Sequence, residues 1–116
     1  MEKQEKKRHI ECSAMMRPVR DALEVINGKW KLMILISISS GNKRFKEIER
    51  SIHKINPKVL AKELKDLEEH QLIKRTVYED FPFLVEYTLL PYAETLENVI
   101  KELSDWGINH RKHIHG

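Results

Sequence analysis

The hydrophobic pattern of the chain changes its period near residue 72, and this change limits the folds that the chain can adopt. Before that point, apolar residues recur every three or four positions, as on one face of an α-helix. The segments 72–78 and 84–89 are instead rich in β-branched and aromatic residues, which predicts a β-hairpin. Helical spacing returns after Pro91. We therefore expect four helices, a hairpin and one last helix within a single mainly α-helical domain.

Turn and cap residues set the expected bounds of the helices. The fourth helix has the clearest start, because Asn56 is a favoured N-cap and Pro57 suits the first helical position. The last helix is expected to open at Pro91 and to end at Gly107. At the hairpin tip, the segment 81–83 could rest against a sugar of the DNA, but packing against the body of the protein is expected, because Pro and Phe offer no donor to a base edge. The four helices before the hairpin are predicted at 18–26, 30–38, 45–52 and 56–70.

The first residues differ in character from the rest of the chain. Residues 1–12 are almost wholly polar or charged, which predicts a flexible charged arm ahead of one domain at 13–116. No secretory segment is evident, and the longest apolar run, 32–36, is too short to cross a bilayer. A lone cysteine, Cys12, is compatible with a reducing compartment. We expect a cytoplasmic protein with no membrane partner.

Two short helices joined by a tight connection and followed by a hairpin describe a winged helix-turn-helix. In this fold the second helix enters the major groove of DNA, and the hairpin, or wing, reaches the backbone or minor groove. On the fourth helix, three lysines lie opposite a stripe of three leucines. Any solvated amphipathic helix shows this pattern, but the order of the elements favours DNA. The opposed residues are Leu60, Leu64 and Leu67 against Lys58, Lys62 and Lys65.

Charge placement supports a DNA-binding surface more than net charge does. The 21 basic and 18 acidic side chains leave only +3, which permits a nucleic-acid partner without requiring one. Ala61 lies beside the lysines, and its small side chain allows close approach to a thymine methyl. The candidate DNA-binding residues are Lys46, Asn56, Lys58, Ala61, Lys62, Lys65, Lys74, Arg75, Thr76 and Tyr78.

Short motifs follow one another in order along the chain: GKWK at 28–31, KRFKEI at 43–48, LAKELKDLE at 60–68, RTVY at 75–78 with Pro82, VEYTL at 85–89 and WG at 106–107. This ordered set, covering roughly 18–110, resembles the HxlR-type winged helix-turn-helix regulators. The resemblance implies a bacterial transcription factor that works as a homodimer built largely from the terminal helices. It also implies a recognition helix at 56–70 and a wing at 74–87.

The apolar rhythm of the last helix bears on assembly. A chain this short has only a limited core in which to bury the apolar residues of both this helix and the first one. We therefore expect a two-fold dimer that buries the remaining apolar surface. Such a dimer would place two recognition helices about 34 Å apart on an inverted-repeat operator. The candidate dimerisation residues are Val19, Leu23, Leu96, Val99, Ile100, Leu103 and Trp106.

Two possible sensing sites remain open as alternatives. Many relatives of the resembled family carry a cysteine directly before the stretch that leads to Gly-Lys-Trp, where this chain has Arg17. Cys12 lies five residues earlier, among basic residues that favour a thiolate, and is the candidate redox sensor for an oxidant or small-molecule effector. An ordinary thiol is the simpler interpretation. The spacing of His110, His113 and His115 is likewise compatible with metal binding, but a hydrated C-terminus is the favoured interpretation.

Catalysis is not expected from this sequence. It contains no phosphate-cradling glycine loop and no His-Glu-x-x-His pattern, and Cys12 has no assigned histidine partner. We expect no enzyme activity, no cofactor and no metal site. The alternatives to a DNA-binding regulator are a winged-helix module that binds protein, or a thiol- or metal-responsive repressor.

Overall fold

The computed structural model describes residues 2–80 and 82–116, with the backbone alone for residues 2–11 and 13. Met1 and Phe81 lie outside the described residues, and so does the packing expected of Phe81. The two strands form an antiparallel hairpin, and a 3₁₀ helix at Pro91–Leu96 precedes the last α-helix. The remaining elements are α1 (Glu2–Ile26), α2 (Lys31–Ser39), α3 (Phe45–Ser51), α4 (Pro57–Glu69), β1 (Ile73–Tyr78), β2 (Leu84–Leu89) and α5 (Glu97–His115).

One face each of α2, α3 and α4 builds the core, together with the start of β1. The predicted leucine stripe of α4 is confirmed, since all three leucines are buried. α2 packs on α3 and α4, as expected of a central helix. Its Met33 and Ile36 are nevertheless exposed. The buried apolar side chains are Ile34, Leu35, Ile38, Ile48, Ile52, Ile55, Leu60, Leu64, Leu67, Leu72, Ile73 and Ala93.

The hairpin agrees with the sequence prediction to within one residue at its first end. Its register pairs Ile73 with Leu89 and Tyr78 with Leu84. A backbone hydrogen bond from the Tyr87 N–H to the Lys43 carbonyl, 2.7 Å long, ties β2 to the connection between α2 and α3. The expected packing of the tip is wrong for Phe83, which is 67% exposed. Pro82 is exposed as well, so neither described residue of the tip segment is covered by the body of the protein.

Both terminal helices are longer than predicted. α1 begins at Glu2 and contains Pro18, which was expected to open it. The preceding segment consists mainly of good helix formers, and an internal proline removes one main-chain hydrogen bond without necessarily ending a helix. The predicted boundary at residue 12 therefore falls inside α1. That residues 1–12 move as a flexible arm stays a prediction.

At the other end, α5 continues through Gly107 to His115, so the predicted end at Gly107 is wrong. An internal glycine costs only about 1 kcal/mol relative to alanine, and helix-forming residues follow it. Pro91 opens the 3₁₀ helix rather than α5 itself. There the Ala93 N–H donates to the Leu90 carbonyl at 2.9 Å, three residues back.

The terminal helices give the chain an elongated outline of 70 × 36 × 23 Å. Its radius of gyration is 18.3 Å, against roughly 13 Å for a compact domain of about this length. Within the described side chains, neither α1 nor α5 contains a buried residue. Large apolar side chains on both helices therefore face solvent in the single chain.

Candidate nucleic-acid interface

The connection between α3 and α4 is fixed by its own residues. Ile52 and Ile55 are buried and anchor it to the core. Asn56 caps α4, because its Oδ1 accepts hydrogen bonds from the backbone N–H groups of Lys58 at 2.7 Å and Val59 at 3.2 Å. The predicted DNA contact at Asn56 thus has its side-chain oxygen occupied, which leaves the amide nitrogen as the group to face DNA.

The outer face of α4 carries the predicted cluster of positive charge. Lys58, Lys62 and Lys65 are exposed, and so is Ala61 between them. No acidic residue lies in the first turn, so the positive end of the helix dipole adds to the lysine charges. We refer to these four residues as the lysine face. It combines ammonium groups for phosphates with one small residue that allows a close approach to bases.

The first turn of α3 contains Lys46, a further candidate DNA contact. Glu47 holds that turn, because its Oε1 accepts hydrogen bonds from the backbone N–H groups of Lys43 and Arg44, both at 3.0 Å. These two bonds lower the pKa of Glu47 below its ordinary value. Lys46 is exposed and lies 3.5 Å from the Glu49 carboxylate. An exposed ion pair of this kind is weak, so it leaves Lys46 available to a phosphate.

The predicted wing residues differ in exposure. Lys74, Arg75 and Tyr78 are exposed, whereas Thr76 is half-buried opposite Glu86. The two basic residues lie near the base of the hairpin, close to the end of α4 in the chain. They place positive charge at the base of the hairpin, while Thr76 offers less surface to a ligand.

The sequence did not reveal an ion cluster on the flank of α4, in which the buried Lys31 meets two half-buried carboxylates. Lys31 Nζ lies 2.7 Å from Glu63 Oε2 and 3.5 Å from Asp66 Oδ2. Burial by itself lowers the pKa of Lys31, but the hydrogen bond and charge of Glu63, helped by Asp66, outweigh burial and raise the pKa. The sequence did contain a signal, since Lys31 shares the core-facing side of α2 with Ile34 and Leu35 at helical spacing. A charge on such a face requires a partner.

The candidate dimerisation residues lie on the two terminal helices, except for Leu96, which is the last residue of the 3₁₀ helix. Val19, Leu23, Val99 and Leu103 are exposed, and Leu96 and Ile100 are half-buried. Trp106 is 66% exposed, and its ring stacks on His110 with ring centroids 4.8 Å apart and planes 11° apart. All of them are available to a second protein surface.

The candidate sensing residues give a mixed result. Cys12 is exposed on α1. Among the residues whose side chains are described, no three His, Cys, Asp or Glu side chains converge to hold a metal ion. The metal-responsive alternative therefore has no built site in that part of the chain. Over the same range, none of the helices has the length and apolarity needed to span a membrane.

A short helix, a fixed turn, a second helix with a basic outer face and an adjoining hairpin define a winged helix-turn-helix domain that binds DNA. Comparison with known families agrees. A model of the family described as HxlR-like helix-turn-helix matches residues 25–115. The chain belongs to this family and is a DNA-binding transcriptional regulator, which confirms the resemblance and the fold class expected from the sequence.

Similar proteins support the same assignment. The chain is 41% identical over 98 residues to YtcD, an HTH-type transcriptional regulator of Bacillus subtilis (strain 168), covering 84% of this chain and 78% of YtcD. A structure of the redox regulator HypR in its reduced form matches with a TM-score of 0.77 and 35% identity, over 84% of this chain and 96% of HypR. A crystal structure of ytcD matches with a TM-score of 0.75 and 41% identity, over 81% and 96% of the two chains.

Proposed function

We propose that the protein binds an inverted-repeat operator as a homodimer, with α4 in the major groove and the hairpin on the neighbouring backbone or minor groove. The observation that carries this proposal is the lysine face of α4, which is exposed along its length while the opposite leucine face is buried. A helix of this shape and charge fits the major groove with its lysines directed to the phosphates.

Each group of residues has a distinct part in this arrangement. The lysines of α4 and Lys46 bind phosphates and set the position of the helix on the duplex. Ala61 and the amide nitrogen of Asn56 approach base edges. Lys74 and Arg75 hold the wing to the flanking backbone. Tyr78 adds a hydroxyl group there, and the half-buried Thr76 contributes least.

The homodimer is supported by the uncovered apolar sides of α1 and α5. Large apolar side chains exposed along two helices of a single chain typically mark an interaction site. A second copy offers the same two helices, so a two-fold arrangement covers them on both protomers and closes without further growth. It also sets the separation of the two recognition helices, and hence the spacing of the operator half-sites.

Operator binding is tested by selecting DNA from a random-sequence pool and measuring affinity by fluorescence anisotropy at several salt concentrations. Wild-type protein is expected to bind an inverted repeat far more tightly than a scrambled duplex. Lys62→Ala is expected to weaken binding and to reduce the salt slope by about one for each lost phosphate contact. Lys101→Ala, on exposed α5, is the matched control. Equal, weak binding to both duplexes would favour a protein-binding module instead.

An oxidant effector acting through Cys12 is a second proposal, supported by two observations. The similar protein HypR is a redox regulator, and Cys12 is exposed on α1, about two helical turns before Val19, the first α1 residue of the proposed interface. Oxidation there would change the contacts of α1. The test compares operator affinity before and after a thiol oxidant. A response that persists in Cys12→Ser protein would contradict this role.

We also infer a regulator that acts by binding alone, in the bacterial cytoplasm where its DNA is found. The family consists of transcriptional regulators, and DNA binding by this fold requires no chemical step. This inference is checked by locating a tagged protein in cells and by following whether operator DNA stays intact during incubation.

A further inference from the structure

Lys31 occupies a position that is unusual for a lysine. It is the first residue of α2 and only 6% exposed. On the helix it shares a face with Ile34, Leu35 and Ile38, which are all core residues. A buried ammonium group is costly unless its three N–H donors are satisfied. Its partners therefore determine what this residue does.

The acceptors around Lys31 Nζ come from two other segments of the chain. Asn27 Oδ1, at 3.5 Å, belongs to the residue directly after α1. Glu63 Oε2, at 2.7 Å, and Asp66 Oδ2, at 3.5 Å, project from successive turns of α4. One ammonium group thus joins the end of α1, the start of α2 and the recognition helix.

The sequence of α4 gives this link a consequence for DNA binding. Lys62 directly precedes Glu63, and Lys65 directly precedes Asp66. At about 100° per residue, the two acids lie roughly 100° around the helix from the lysines. A rotation of α4 about its axis would therefore turn carboxylates towards the phosphates that the lysines should meet.

Apolar packing constrains that rotation less sharply than a directional bond does. Contacts between α2 and the leucine stripe of α4 are non-directional, so they tolerate small rotations of one helix on the other. A charge-assisted hydrogen bond of 2.7 Å is directional. It sits on the flank of α4 between the leucine stripe and the lysine face, where it constrains rotation best.

We propose that Lys31 is a positioning residue for DNA recognition: it holds Glu63 and Asp66 against the protein, fixes the rotation of α4, and couples that rotation to the end of α1. The coupling to operator spacing rests on the proposed dimer, whereas the rotation of α4 does not. A purely stabilising role is the competing interpretation, and the experiment must separate the two.

The variants are chosen to separate stability from orientation. Lys31→Met leaves two carboxylates without their partner and is expected to lower Tm by roughly 10 °C. The double variant Lys31→Met with Glu63→Met replaces the closest ion pair by apolar groups, which usually restores stability. Lys29→Met is the control, since it makes the same change at an exposed lysine two residues earlier.

Orientation is measured without DNA by spin labels at Glu24→Cys on α1 and Glu68→Cys on α4, in a Cys12→Ser background. Labelled protein is diluted with unlabelled protein, so that distances within one chain dominate. Pulsed electron resonance is expected to give a narrow distance distribution for wild type and Lys29→Met. A broader or shifted distribution is expected for Lys31→Met and for the double variant.

Operator affinity supplies the functional readout at a temperature where every variant is folded. Both Lys31 variants are expected to bind about tenfold more weakly than Lys29→Met, a loss of about 1.4 kcal/mol, and to discriminate less between half-site spacings. If the double variant regains Tm and also the wild-type distance distribution, Lys31 only stabilises the fold and the proposal is wrong. If wild type binds no selected operator, the proposed operator fails, while the distance measurement still decides the role of Lys31.

Discussion

Trp106 provides the sharpest test of how two copies of the chain meet. Its ring is 66% exposed on α5. An aromatic side chain buries about 200 Å² when fully covered, so roughly 130 Å² per protomer is available to a partner. At about 25 cal/mol per Å² this corresponds to about 3 kcal/mol, or about 6 kcal/mol for the two copies in a symmetric dimer.

Part of this energy offsets side-chain ordering and incomplete burial. If half is realised, Trp106→Ala weakens the dimer by about 3 kcal/mol, which raises its Kd about a hundredfold. Sedimentation equilibrium over a range of concentrations measures that Kd. The fold should persist, because α5 contains no residue buried within its own chain, and circular dichroism checks this.

Lys101→Ala is the matched control for the dimer measurement. Lys101 lies on the opposite side of α5 from Trp106, about 140° away at 100° per residue, and it is exposed. Its removal should leave the dimer Kd unchanged. A Trp106→Ala protein that dimerises within about threefold of wild type would place the interface elsewhere and refute the area argument.

Four further predictions concern the recognition helix and its supports. Lys54 has a left-handed φ of 63° in the connection before α4, so Lys54→Gly should raise the free energy of unfolding by about 1 kcal/mol in a urea titration. Asn56→Ala removes the cap of α4 and should lower the free energy of unfolding by about 1 kcal/mol in the same titration. An unchanged free energy of unfolding would show that the cap is dispensable. The lowered pKa of Glu47 contributes stability that is present at neutral pH and lost as pH falls below about 4.3 through the folded-state pKa, and Glu47→Gln should remove this dependence. The raised pKa of Lys31 acts in the opposite direction: its contribution is present below about pH 10.4 and lost as pH rises through the folded-state pKa, and an alkaline unfolding series on Lys31→Met should lack this loss.

Local signals predicted the parts of the fold that local chemistry controls. Asn56 and Pro57 specify the start of α4 by capping geometry, and the structure has the helix begin there. The composition of the two strands was enough to predict the hairpin, because the two strands pair with each other. The exposure of the lysine face could be predicted from the leucine stripe, because residues opposite the buried side of an amphipathic helix face solvent.

The terminal helices were less predictable for a physical reason. Inside a helix Pro18 costs about 3 kcal/mol and Gly107 about 1 kcal/mol, yet each lies within a helix here because strong helix formers flank it. Lys31 was missed because its two carboxylate partners lie more than thirty residues away in sequence. Its position on a core face signalled that a partner must exist but did not identify it.

In α4, the residues that pack into the core and the residues proposed to contact DNA occupy different positions, which alternate along the sequence. The leucine side determines whether the helix packs, while Lys58, Ala61, Lys62 and Lys65 have no part in the core. Substitutions on the lysine face can therefore accumulate with little penalty to the folded state. After gene duplication, a copy of this chain could acquire control of new genes through a few changes on one helix, while its scaffold is inherited intact.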